Sequence, residues 1–356
     1  MNETNDICPI CGSRRIEKFA GFFMPFISTR VFGVDKKDTG ILHCKDCNFY
    51  CSEVRPTSEQ MECLYTDYRG EEYQKQRQSF EPEYTVEFNA SLGGKESERS
   101  RKDGIFATVN KFCSPEEMEY ILDYGGDRGQ FFPEQYAQAR RYVYDISGVE
   151  TVEGVECLTS IQELAQCPWN LILCCHVLEH LSYPREEIRK IFNIMPVGGY
   201  LYVEVPYEDY FYPCILRKEA IPVHEHINFF NERSLYALFN DPHILVLELE
   251  KNDSILKIFV KKINYEDILY KYLNSKMFAL EEKYNRITNL NKNLTLREQY
   301  YIDNIGKYEI ILTEIKKSNA EMKEYIKRYP RWMINLLACF VPKQKNRRHL
   351  REKYSR

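Results

Sequence analysis

The chain has 356 residues, 44% of them hydrophobic, and a formal net charge of −4, enough for one full-sized α/β domain with smaller modules around it. It has no run of eighteen apolar residues, which argues against a transmembrane helix, and its polar start MNETNDICPICGSRR lacks the apolar stretch of a secretory signal. The thirteen cysteines are odd in number and include C-x-x-C pairs, so a reducing, cytoplasmic setting is expected in place of a disulfide framework.

Residues 1–60 read as a metal module. Cys8-Pro-Ile-Cys11 and Cys44-Lys-Asp-Cys47 are two knuckles that can close around one tetrahedral ion, and four thiolates suit a structural Zn²⁺ with no open coordination position. Strand-like pieces lie between the knuckles at Phe19 to Phe26, Arg30 to Gly33 and Ile41 to His43. Residues 61–114 are helix-like, rich in charge and tyrosine, and broken at Gly93-Gly94. They are expected to connect the modules and cover an acceptor site.

From residue 115 to 262, short apolar runs alternate with helical patterns, the signature of a parallel sheet with crossover helices. Strands are expected at EYILDYG (119–125), RYVYDIS (141–147), VEGVEC (152–157), NLILCCHV (170–177) and GYLYVEVP (199–206). Helices are expected at FPEQYAQA, SIQELAQ and PREEIRKIFNIM. HILVLELE and SILKIFVKKI flank Lys251-Asn252-Asp253, a hairpin that adds an antiparallel pair. Residues 263–328 carry apolar positions three and four apart, which predicts a helical hairpin or coiled coil and a route to a homodimer. In the tail, 329–356, residues 341–356 hold seven Lys/Arg against Glu352, leaving the rest of the chain acidic. The apolar piece Trp332 to Val341 before this cluster suits an in-plane helix, so peripheral membrane contact through 331–356 is expected. The acidic body disfavours a nucleic-acid partner.

The turn Asp123-Tyr124-Gly125-Gly126-Asp127-Arg128-Gly129 follows a strand. Glycines there let a ligand approach bare backbone. Asp145 ends the next strand, where a carboxylate can accept both hydroxyls of a ribose. The turn does not match G-x-G-x-x-G, and no G-x-x-x-x-G-K-[ST] occurs. A pyrophosphate would be repelled by Asp123 and Asp127. A ligand with ribose, adenine and a cationic centre fits better.

These residues, with the L-E-H of LILCCHVLEHLSYP and the strand GGYLYVEVP, resemble the class I S-adenosylmethionine-dependent methyltransferases. The resemblance implies a Rossmann-like, mostly parallel seven-stranded sheet with an antiparallel C-terminal strand. It also implies that Asp123, Gly125, Gly126 and Gly129 line the methionine end, that Asp145 holds the ribose, and that Cys175 and His176 lie against the cofactor. Asp127 replaces a usual glycine, and Asn170 stands where an Asp often opens the fourth strand. The four-Cys module is similar to that of sugar methyltransferases from surface-polysaccharide and antibiotic-sugar pathways.

Val223-His224-Glu225-His226 follows the fifth strand of this domain, and ligands of open α/β sheets bind outside the carboxyl ends of strands. By resemblance to sugar C-methyltransferases, His226 would be the base, with Glu225 as its partner and His224 beside it. The position of an assisting Tyr is Val223, which favours O-methylation of a sugar hydroxyl over C-methylation of a keto-sugar. A catalytic metal on His176, His180, His224 and His226 is a minor alternative. The expectation is a methyltransferase acting on a nucleotide-linked sugar or surface glycan. An RNA base methyltransferase and a non-catalytic scaffold are the other readings.

Overall fold

The computed structural model describes residues 7–264, apart from 93, 147 and 148, together with four helical positions between 313 and 320. The expected hairpin, its dimer contact and the basic tail otherwise lie outside the described residues. No helix among the described residues is long and apolar enough to cross a membrane.

The N-terminal part begins with β1 (Ile16–Phe23), α1 (Pro25–Phe32), β2 (Lys37–Cys44) and β3 (Tyr50–Ser52). Pro25 opens α1 where a missing N–H costs nothing, and Gly33 closes it at φ 67. Arg30 to Gly33 is therefore the end of a helix and not the expected strand. Its β-branched and aromatic residues are there because Val31 must be buried against the sheet. Four helices follow: α2 (Ser58–Tyr65), α3 (Glu71–Phe80), α4 (Val86–Leu92) and α5 (Lys95–Val109). Thr57 and Gln60 form a capping box that starts α2.

The second sheet is built from β4 (Tyr120–Tyr124), β5 (Arg140–Tyr144), β6 (Val155–Leu158), α6 (Ile161–Leu164), β7 (Leu171–Cys175), α7 (Pro184–Ile194) and β8 (Tyr200–Pro206). Then come α8 (Tyr212–Arg217), β9 (Ile221–Val223), β10 (Asn228–Phe229), α9 (Glu232–Leu238), β11 (Ile244–Lys251) and β12 (Ile255–Lys262). Its seven strands run in the order β11-β12-β8-β7-β4-β5-β6. β8, β7, β4, β5 and β6 are mutually parallel, while β12 is antiparallel to β8 and to β11. This is the expected α/β class.

Side chains alternate across the sheet as the two-residue period of a strand demands. Ile121, Leu171, Leu173 and Tyr202 pack with Ile105 and Val109 of α5. Leu122, Ile172, Leu201 and Val203 pack on the other face with Ile188 and Ile191 of α7 and Leu235 of α9. The crossover between β4 and β5 holds only a 3-10 turn at Glu134–Tyr136 in place of the helix expected at FPEQYAQA. Buried Phe132 and Tyr136 anchor the two sides of this short segment against the core, and the chain turns into β5 before a full helix can form.

The segment between β8 and α9 leaves this sheet. β9 pairs in parallel with β1, and β10 pairs antiparallel with β3, giving a five-stranded sheet in the order β10-β3-β2-β1-β9. Cys8, Ile10, Cys44, Cys47 and Phe49 lie in one apolar cluster with Leu122, Ile172 and Phe230. The cysteine module and the large sheet thus share a core, and the described residues up to 264 belong to one compact unit.

Candidate active site

The expected cofactor residues converge at the carboxyl ends of β4, β5 and β7. Asp123 is 2% exposed. Burial raises its pKa to about 7, with Arg101 opposing the rise and Asp145 and Asp127 adding to it. Gly125 adopts φ +75, and a Cβ on Gly126 would stand 2.2 Å from the Asp123 carboxyl carbon, so a side chain would fill the cradle. Asp127 takes φ 53, the left-handed conformation that a glycine would supply. Its N–H donates to Asp145 Oδ2 at 2.9 Å, which joins the turn to the end of β5. Asn170 lies at the opposite end of the strands, where Oδ1 accepts from the N–H groups of Glu119 and Tyr120. It opens β4 and plays no part at the cofactor end.

Cys175 is buried in β7, and His176 follows it at φ 55. His176 Nε2 lies 3.1 Å from Glu204 Oε1 and Nδ1 lies 3.3 Å from Glu179 Oε1. Burial alone would lower its pKa, but these two carboxylates outweigh it and hold it at about 9. Arg101, from α5, brings Nε to 3.6 Å from Glu204 and stacks its guanidinium over Phe131. The sequence does not single out Arg101, because it looks like one charge among many on a helix. Packing of α5 on the sheet is what turns it toward the turn.

His224, Glu225 and His226 sit between β9 and β10, on the sheet of the N-terminal module. They do not act as a set. His224 Nε2 pairs with Glu81 Oε1 at 2.6 Å and stacks on Phe26. Glu225 is clamped by the Tyr73 hydroxyl at 2.5 Å, Arg77 Nη1 at 2.7 Å and the Tyr68 hydroxyl at 3.3 Å. Burial opposes its charge, but His224 and Arg77 overcome that and hold its pKa at about 2. The carboxylate on His226 is Glu208, not Glu225, with Oε2 at 2.9 Å from Nδ1. Glu208 lies two residues beyond β8, and only the return of the chain through β9 brings His226 to it. The four histidines of the metal alternative are not gathered around one point among the described residues. Glu179, His180 and His226 are.

Backbone bonds hold this loop to the L-E-H turn. The N–H groups of Ile227 and Asn228 both donate to the Glu179 carbonyl, at 2.9 and 3.1 Å. Asn228 Nδ2 donates to the carbonyls of Leu178 and Leu181, each at 2.7 Å. The His180 and His226 rings meet edge to face at 4.8 Å. Buried polar groups satisfied in this way fix one arrangement.

Cys8, Cys11, Cys44 and Cys47 bring their four sulfurs within 4.8 Å of one another, with Cys8 to Cys47 and Cys11 to Cys44 both at 3.5 Å. A tetrahedral Zn²⁺ with bonds of about 2.3 Å places its sulfurs about 3.8 Å apart, so the cluster could take one ion with little movement. The Ile10 N–H points at Cys8 Sγ at 3.4 Å, an arrangement that stabilises a thiolate. Arg185 of α7 donates to the Ile10 carbonyl at 3.0 Å, tying the knuckle to the large domain.

Residues 97–241 match the family described as a methyltransferase domain. These residues form a class I S-adenosylmethionine-dependent methyltransferase domain. Among solved structures, the chain is similar to magnesium protoporphyrin IX methyltransferase from Synechocystis PCC 6803, at 12% identity over 47% of this chain and 83% of that one, with a TM-score of 0.36. It is also similar to an S-adenosylmethionine-dependent methyltransferase from Aquifex aeolicus, at 18% identity over 44% of this chain and 88% of that one, with a TM-score of 0.33. The curated proteins contain no significant sequence match. The matched span of the methyltransferase domain contains the glycine turn, Asp145, the L-E-H turn and the His226 loop.

Proposed function

We propose that this methyltransferase acts on a sugar hydroxyl, on a nucleotide-linked sugar or a growing surface glycan. The observation that supports the reading is the His226 loop, which is flanked by strands of the N-terminal module's sheet and bonded to the turn after β7 through the Glu179 carbonyl. S-adenosylmethionine, when bound, supplies an electrophilic methyl group on its sulfonium. Asp145 and the backbone of the 125–129 turn would hold its ribose and methionine ends, and Glu204, His176 and Arg101 line the neighbouring strand ends. Glu208 orients His226 through Nδ1, so that Nε2 can take the proton of an acceptor hydroxyl. The site offers carboxylates, imidazoles and tyrosine hydroxyls, a set of partners that suits a polyhydroxylated acceptor.

Val223 favours oxygen over carbon as the acceptor atom. It is fully buried in the cluster with Phe23, Ile27 and Phe229, so this position offers no hydroxyl to assist carbon deprotonation. The polysaccharide setting, the membrane contact through 331–356 and the dimer through 263–328 belong to this proposal and follow from sequence resemblance and composition. The test is a panel of nucleotide sugars and glycan fragments incubated with labelled S-adenosylmethionine. Label on oxygen of a sugar supports the reading, whereas label on RNA with none on any sugar contradicts it.

A further inference from the structure

We propose that Glu179, His180 and His226 form a second metal centre, a two-histidine, one-carboxylate site for a divalent transition-metal ion that holds an acceptor hydroxyl. One donor atom from each residue lies within 4.8 Å of the other two. A metal with bonds of about 2.0–2.2 Å needs its donors roughly 3–3.5 Å apart, so a modest side-chain movement closes the site.

Three observations set this cluster apart from an ordinary buried network. The first is the histidine tautomers. His180 Nδ1 lies 3.2 Å from the Glu225 carbonyl oxygen, which can only accept, so Nδ1 carries the proton and the neutral ring presents Nε2 as a lone pair. His226 Nδ1 is held by the Glu208 carboxylate in the same manner. Histidine ligands of metals are oriented in this way, with the outer nitrogen on a carbonyl or a carboxylate.

The second is Glu179. It is fully buried, yet neither carboxylate oxygen accepts a hydrogen bond. The His176 ring, held protonated, lies 3.3 Å from Oε1 and offsets part of the charge from one side, while His180 Nε2 at 3.8 Å is beyond hydrogen-bond reach. The carboxylate lone pairs toward His180 and His226 are left for a metal ion, which would complete the buried group. The third is Tyr65. Its hydroxyl is likewise buried without a partner, and its ring meets His180 edge to face at 5.7 Å. It could donate to an oxygen bound on the ion.

Two imidazoles and one carboxylate with open positions suit Mn²⁺, Fe²⁺, Co²⁺ or Zn²⁺ better than Ca²⁺ or Mg²⁺. The inference rests on the reading that the acceptor occupies this end of the sheet. An acceptor hydroxyl on the ion loses its proton to water, the O–H bond breaks, and the electron pair stays on the oxygen. In the metal-loaded protein, His226 is then a ligand and not the proton acceptor.

The test is a Co²⁺ titration of the full chain with its thiolate site already filled by zinc, read by visible absorption and calorimetry. The expected result is one further ion per chain, without a thiolate charge-transfer band. Glu179→Gln should weaken it at least tenfold, and Glu208→Gln, which disturbs only the orientation of His226, about 10–100-fold. Absence of a further ion in the wild type, or undiminished binding by Glu179→Gln, overturns the proposal. If Glu179→Gln does not fold, His226→Gln serves in the same titration under the same two outcomes. S-adenosylmethionine is titrated into the same samples. Binding of it without Co²⁺ uptake rejects the metal site and leaves the methyltransferase reading intact, and the reverse pattern rejects that reading alone.

Discussion

Replacing Asp123 by Asn should make the cofactor-free protein more stable and the enzyme worse. Asp123 is buried, and its folded pKa of about 7 stands above the 3.8 of an ordinary aspartate. A carboxyl with a raised folded pKa is protonated on both sides of the unfolding equilibrium at low pH and costs nothing there. Its cost grows as pH rises from the unfolded value and is complete above the folded one. The full difference corresponds to about 4 kcal/mol at pH 8, about 2 kcal/mol at pH 5 and under about 1 kcal/mol at pH 4. Asn carries no charge at any of these values. Asp123→Asn should therefore stabilise the cofactor-free protein by about 4 kcal/mol at pH 8, on the order of 10 °C in Tm, and by about half as much at pH 5. The assay is urea and thermal denaturation at both pH values, with S-adenosylmethionine affinity measured in parallel. Cofactor binding should weaken while stability rises. A variant that is less stable at pH 8, or that gains equally at pH 5 and pH 8, would refute the reasoning.

His226→Ala should lower turnover about 10²–10⁴-fold while S-adenosylmethionine binding changes little, as isothermal titration would show. Arg77→Met leaves the largely enclosed Glu225 carboxylate charged without the guanidinium 2.7 Å away, so urea denaturation should show a loss of about 3–5 kcal/mol. Arg77→Met with Glu225→Gln should recover part of that loss. Removing metal from the four-cysteine cluster should loosen acceptor binding more than cofactor binding, because β9 and β10 hang on that module's sheet while Asp145 does not. Equal loss of both affinities would count against it.

The legible parts of this protein are those that local sequence determines. The two cysteine knuckles, the glycine turn after β4 and Asp145 after β5 are short patterns whose chemistry follows from their own neighbours. The alternation of strands fixed the large sheet, since each strand's apolar residues must reach helices on one face or the other. Arg30 to Gly33 misled because a buried helix end and a strand share the same residue types. FPEQYAQA misled because helix-forming residues were outvoted by two buried aromatic anchors, Phe132 and Tyr136. The His224-Glu225-His226 segment was visible, but its partners were not. Tyr73 and Arg77 come from α3, Glu81 from the residue just past its end, Glu208 from beyond β8, and Glu179 from the turn after β7. No spacing in the sequence announces that β9 and β10 cross to the other sheet and carry these groups together.

The most direct measurement is a calorimetric titration of S-adenosylmethionine into the zinc-loaded full chain, repeated with Asp145→Ala. The account predicts saturable binding at one site per chain, lost or strongly weakened in the variant. No binding by the wild type, or equal binding by the variant, would contradict it.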